Sequence, residues 1–91
     1  MVTVLLPGVL RTEAGGARTV TVEAAGSLRA VLEEIATRWP RLERRIRDEQ
    51  GQLRRYVNVY VDGDDCRLGG GLETPVRDGA EIQILPSVAG G

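Results

Sequence analysis

The sequence predicts an α+β fold, a mixed sheet of four to five strands crossed by one main helix. Three observations carry that expectation. Short apolar–polar alternations sit near both ends of the chain. A single internal stretch repeats its apolar residues at helical spacing, and Pro-Gly, Gly-Gly and Asp-Gly pairs separate these segments.

Residues 2–6 alternate, with Val2, Val4 and Leu6 on one face and Thr3 and Leu5 on the other; Pro7-Gly8 closes the strand. A turn around Gly15-Gly16 leads to RTVTVE at 18–23, where Val20 and Val22 oppose Thr19 and Thr21. Two neighbouring strands joined through glycine predict an antiparallel hairpin. Ser27 is placed to cap a helix by accepting an unpaired backbone N–H. Leu28, Val31, Leu32, Ile35 and Trp39 then share one helical face, and Arg29, Glu33, Glu34 and Arg38 fall off it. Pro40 ends the helix, because proline disfavours helical geometry at the residue before it.

Residues 41–55 read as a polar connection that holds Leu42, Ile46 and Leu53, with a short helical turn at 41–47. The clearest strand follows, Val57, Val59 and Val61 alternating with Tyr56, Asn58 and Tyr60, and Asp62-Gly63 makes a tight turn. DCRL at 65–68 is expected to be a short strand, and Gly69-Gly70-Gly71 an irregular loop anchored by Leu72 and Val76. After Asp78-Gly79 comes the last strand, AEIQIL, with Ile82 and Ile84 inward and Gln83 and Leu85 outward. This order describes a β-grasp, the ubiquitin-like roll. Its first and last strands must lie central and parallel, with the helix inside the crossover. Residues 2–6 and 81–85 are the most apolar strands, as central strands should be.

The 91 residues suffice for one core, here 1–86, and leave 87–91 as a flexible C-terminal arm. Composition is that of a globular protein, 42% hydrophobic and 27% charged. No apolar run approaches a membrane span and the N-terminus lacks a secretory pattern, so a cytoplasmic location is expected. There is no histidine and Cys66 is the lone cysteine, which excludes internal disulfides, zinc-ligand clusters and an iron–sulfur ferredoxin. Without histidine the usual general base is missing, so the chain is not expected to be an enzyme. Cys66 reads as a semi-buried apolar residue. The triple glycine lacks the following GK[ST] of a phosphate loop.

All 12 basic residues are arginine. With no lysine, the N-terminus supplies the only amine that could capture an activated acyl group. Seven of the arginines fall between Arg38 and Arg55 but alternate with Glu43, Asp48 and Glu49, which describes a solvated face. A net charge of -1 argues against nucleic acid as a partner.

The end of the chain, PSVAGG, holds the chemistry. Pro86 cannot donate to a sheet ladder, so strand pairing should stop there and Ser87–Gly91 should project. The one reactive group at the tip is the Gly91 carboxylate. A carboxylate is a poor acyl donor until its oxygen attacks the α-phosphate of ATP, giving a mixed anhydride. Gly90 and Ala89 would thread a narrow channel in a partner, since glycine has no Cβ and turns freely. Val88 completes the threading arm. Leu85, Tyr60 and Gln83, on the outer sheet face, are the expected docking residues.

DGAEIQILPSVAGG, together with RYVNVYVDGDDCR before it, resembles the MoaD/ThiS family of ubiquitin-like sulfur carriers. The long connection at 41–55 is most similar to the CysO-type carriers of actinobacteria. The resemblance implies that Gly91 is adenylated by a ubiquitin-activating-like adenylyltransferase and converted to a thiocarboxylate. It implies that ATP is consumed by that partner, with no cofactor bound by the carrier. A second partner, a sulfur-accepting biosynthetic enzyme making cysteine or another sulfur-containing metabolite, then takes the sulfur. Two other readings stay open at this point. One is the small subunit of a molybdopterin synthase, though the aromatic pair often found there is replaced by Ile84-Leu85. The other is a ubiquitin-like interaction module with an inert tail.

Overall fold

The computed structural model describes residues 1–86. Strand β1 (Val2–Leu5) runs through the middle of the sheet and buries Val2 and Val4. The link after it holds more than a glycine turn. Its sequence folds into a helical turn, α1 (Gly8–Arg11), and a 3-10 turn at Thr12–Ala14, whose Leu10 and Ala14 are buried. Gly15 and Gly16, at φ 68 and 89, then reverse the chain. Strand β2 (Thr19–Val22) returns antiparallel, with Val2 opposite Val22 and Val4 opposite Val20.

A two-residue strand, β3 (Gly26–Ser27), precedes the main helix α2 (Leu28–Arg38). The Ser27 Oγ accepts from the Ala30 N–H at 3.1 Å, the capping bond expected from the sequence. Leu28, Val31, Leu32 and Ile35 are all fully buried against the sheet. Each such side chain contributes about 1.5–3 kcal/mol of transfer free energy before entropy is subtracted. Trp39 differs from the expectation of a fifth stripe position: it is the C-cap, at φ -137 and ψ 74, half-buried with the Arg38 guanidinium 4.4 Å from its ring centroid. Pro40 explains this, since it bars the helical conformation at residue 39 and then starts helix α3 (Pro40–Ile46) at a position where its missing N–H costs nothing.

Helix α3 adds Leu42 and Ile46 to the core. Its end is fixed by an ion pair out of bulk water, with Arg47 Nε donating to Glu43 Oε2 at 2.7 Å. Strand β4 (Val57–Val61) buries its three valines, and Asp62 and Gly63 (φ 49 and 88) form the tight turn to β5 (Asp64–Asp65). The expected strand at 65–68 is corrected: only its first residue pairs, and Cys66–Leu68 is a 3-10 turn because the Asp65 carboxylate accepts from the Arg67 N–H and caps it. The triple-glycine loop is likewise not irregular throughout, since Gly71–Glu73 forms a 3-10 turn. Leu72 and Val76 anchor it as expected. Strand β6 (Pro75–Val76) pairs with β3, a small second sheet that sequence periodicity did not suggest.

Strand β7 (Glu81–Pro86) completes the roll, running one residue past the expected end at Leu85. The five-stranded sheet has the order β2-β1-β7-β4-β5, with β1 parallel to β7 and β4 antiparallel to it. This is the β-grasp arrangement, with first and last strands central.

Candidate functional site

Strand β7 does two jobs at once. Ile82 and Ile84 point into the core at 0% and 1% exposure, so the strand cannot shift register without exposing them. Gln83 and Leu85 therefore face outward, as the alternation requires. Gln83 stands opposite Tyr60 on β4 and Leu5 on β1, and Leu85 opposite Asn58. The three expected docking residues thus share one face: Gln83 and Leu85 are exposed and Tyr60 is half-buried.

Pro86 pairs with Val57, so the ladder includes it rather than stopping before it. The reason is local. Pro86 has no N–H to give the ladder, and the Val57 N–H opposite it donates to the Arg54 carbonyl at 3.1 Å instead. Val88, Ala89, Gly90 and Gly91 lie outside the described residues.

Around Pro86 the fold assembles a surface that the sequence did not reveal. Pro7, Val9, Leu10, Tyr56, Leu85 and Pro86 line an apolar cavity of about 190 Å³. Val9 is 61% exposed, Tyr56 56% and Leu85 36%, so three large apolar side chains meet water beside the root of the arm. A second groove of about 350 Å³ shares Pro7, Ile84 and Leu85 and runs along the outer face past Gln83. Arginines border both. Arg11 donates to the Leu6 carbonyl at 3.0 Å, Arg45 pairs with Glu13 at 3.3 Å, and Arg18 is exposed. The one available signal was Val9, an apolar residue directly after the strand-ending Pro7-Gly8.

The larger cleft, about 630 Å³, lies at the opposite end of β7, lined by Asp62, Asp64, Asp65 and Arg77 among others. Two of its three carboxylates serve the backbone: Asp62 accepts from the Glu81 N–H at 2.9 Å, and Asp65 from the Arg67 N–H at the same distance. Among the described residues no group of three or more His, Cys, Asp or Glu could hold a metal ion. Cys66 is 1% exposed, more deeply buried than expected, and burial pushes its thiol pKa up, with the Asp65 charge adding to the rise. It is a core side chain.

No helix among the described residues is long and apolar enough to cross a membrane. The model of the ThiS family matches residues 4–91. The sulfur carrier protein CysO of Mycobacterium tuberculosis is 39% identical over 92 residues, covering 99% of this chain and 98% of the relative. A chain of the crystal structure of the Amycolatopsis orientalis BexX/CysO complex superposes with a TM-score of 0.89 at 40% identity, each chain covered in full. The solution structure of the small archaeal modifier protein 1 from Methanosarcina acetivorans matches with a TM-score of 0.81 at 32% identity, over 99% of this chain and 95% of that one. Likeness to solved carriers across the whole fold, and a family model that runs from β1 through the final glycine, place this chain in the ThiS family.

Proposed function

We propose that this chain is a sulfur carrier that works as a protein substrate and not as an enzyme. Thiocarboxylate chemistry is typical of the family. In this reading the Gly91 carboxylate attacks the α-phosphorus of ATP in the pocket of an adenylyltransferase and expels pyrophosphate. Hydrosulfide then attacks the acyl carbon, AMP leaves, and Gly91 ends as a thiocarboxylate. The loaded carrier donates that sulfur to a biosynthetic enzyme, and it works in the cytoplasm.

The observation that carries the reading is full-length likeness to sulfur carriers, the match extending to residue 91. The geometry supports it. Strand β7 is locked by Ile82 and Ile84, so the arm leaves a fixed point beside an apolar surface rimmed by arginine. Such a surface suits a partner with an apolar contact and an acidic rim. Domain 1–86 would present the arm 87–91, with Val88, Ala89 and Gly90 giving clearance in the channel.

The test is intact mass after incubation with an activating enzyme of this family, ATP and sulfide. A gain matching replacement of one oxygen by sulfur is expected, dependent on ATP. No gain with an enzyme that loads its own carrier would sink the reading. Docking makes a second prediction. Leu85→Asp puts a charge into the apolar contact and should slow loading by roughly 10- to 100-fold through weaker binding, equivalent to about 1.4–3 kcal/mol. Leu85 is only 36% exposed, so the variant should also melt several degrees lower, and loading is compared well below both melting temperatures. Loading at the wild-type rate would remove Leu85 from the interface.

A further inference from the structure

A sheet that does not close into a barrel has two edges, and the outward N–H and C=O groups of an edge strand are a template for a strand of another chain. Here the edges are β2 and β5. Strand β5 is two residues long and both are aspartate, so shortness and charge blunt it. Strand β2 has neither defence. Its sequence is TVTV, four β-branched residues without charge or proline, and its four residues pair with β1 in unbroken register.

The ladder decides which groups of β2 face outward. The Thr3 N–H donates to the Ala80 carbonyl at 3.1 Å, so Thr3 turns its backbone toward β7 and away from β2. Thr3 stands opposite Thr21, and in an antiparallel ladder such pairs alternate with hydrogen-bonded ones. Thr21 therefore directs its N–H and C=O away from β1, to the open edge, and Thr19 and Glu23 do the same. The Leu6 N–H, donating to the Arg18 carbonyl at 2.8 Å, sets the same alternation from the other end of the strand.

Helix α2 fills this edge with side chains. Glu34 reaches across from the helix, its Oε1 accepting from the Glu23 N–H at 3.1 Å and from the Ala24 N–H at 2.7 Å. Arg38, one turn further on, donates from Nη1 to the Thr21 carbonyl at 3.0 Å and to Glu34 Oε2 at 3.2 Å. An acceptor thus stands where a neighbouring strand would offer a carbonyl, and a donor where it would offer an N–H. An ion pair one turn apart on a helix is by itself worth only about 0.3–0.5 kcal/mol. The bonds to three backbone groups of the edge are what set this pair apart.

We infer that Glu34 and Arg38 act as a surrogate strand that closes the β2 edge against a second copy of this chain. A second copy is the occupant that fits, because two β2 edges are complementary to each other. Set antiparallel about a two-fold axis, Thr21 meets Thr21 of the copy and Thr19 meets Glu23, each pair exchanging N–H and C=O bonds. The groove past Gln83 includes Arg18 and Thr19, so a copy on this edge would crowd it. Closure of the edge keeps the chain single and that groove open.

The test replaces both side chains with alanine and reads the particle mass in solution by light scattering, over a wide range of concentration. Alanine is the best helix former and both positions lie off the buried stripe of α2, so the fold should persist. The wild type should stay at the mass of one chain, and the Glu34→Ala, Arg38→Ala double variant should shift to the mass of two. Either single substitution opens part of the edge and should give the same dimer at higher concentration, which keeps the test in force if the double variant does not fold. Amide hydrogen exchange locates the contact. In the dimer the Thr21 N–H should exchange at least about 10-fold more slowly than in the wild type, while Val20 and Val22, already bonded to β1, change little. A wild-type dimer, variants that remain single chains, or a dimer that leaves the Thr21 N–H unprotected would each overturn the inference. No partner enzyme takes part, so the result stands apart from whether the chain carries sulfur.

Discussion

A chain lacking Gly91 is expected to take up no measurable sulfur while melting at the temperature of the full chain. Removing one residue moves the terminal carboxylate back by about 3.3 Å along the arm. Attack on the α-phosphorus needs the carboxylate oxygen at near-attack distance, and a misplacement of about 1 Å already costs about 100-fold. The threefold larger shift should therefore place loading below detection. Stability should not follow, because among the described residues the last buried side chain is Ile84 and the last paired residue Pro86, both before the deletion. A change within about 0.5 kcal/mol is expected, the range of surface substitutions. Intact mass and a thermal melt on the same two samples check both halves. Loading at a rate near that of the full chain would show that the arm's length is not read by the partner.

The largest effect on the fold should come from Ile82→Ala. Ile82 is fully buried at the centre of the sheet, paired with Val4 of β1 on one side and Val61 of β4 on the other. Truncating it removes about three methyl or methylene groups and leaves a cavity that its neighbours close only in part. The expected loss is about 2–5 kcal/mol. A domain of this size has a total stability of about 5–14 kcal/mol, so the variant should melt about 10–30 °C lower. Ile82→Val keeps most of the volume and should cost only about 0.5–1.5 kcal/mol. Equal melting temperatures for both variants would show that β7 is not the strand that holds the roll together. The same strand holds the root of the arm, so Ile82→Ala should also lower loading in step with its folded fraction.

Elements whose pattern is local were legible. Alternation at 2–6 and 81–85 marked the central strands, and the spacing of Leu28, Val31, Leu32 and Ile35 marked the helix face. The Asp62-Gly63 turn was readable because only a few residue types accept positive φ there. What escaped was non-local. The pairing of Gly26–Ser27 with Pro75–Val76 joins two-residue strands about 50 positions apart, too short to show a period. The apolar surface at the arm gathers Val9, Tyr56 and Leu85 from three separate segments. Of these, Leu85 alone was expected, because its outward orientation follows directly from the burial of Ile84. At Cys66, the strand-like run DCRL lost to a side-chain cap, since Asp65 satisfies the Arg67 N–H and favours a 3-10 turn. Gly70 shows a further constraint: a Cβ there would sit 3.0 Å from the Thr74 backbone nitrogen, closer than ordinary contact, so tight backbone packing favours glycine at this position.

The central claim is that sulfur is carried on the Gly91 carboxyl group and not on Cys66. The most direct measurement is a fragment mass spectrum of the sulfur-loaded chain, locating the added mass to one peptide. The account predicts replacement of one oxygen by sulfur on the fragment ending in Gly91, with the Cys66 fragment unchanged. Added sulfur on the Cys66 fragment, with Gly91 left as a carboxylate, would contradict it.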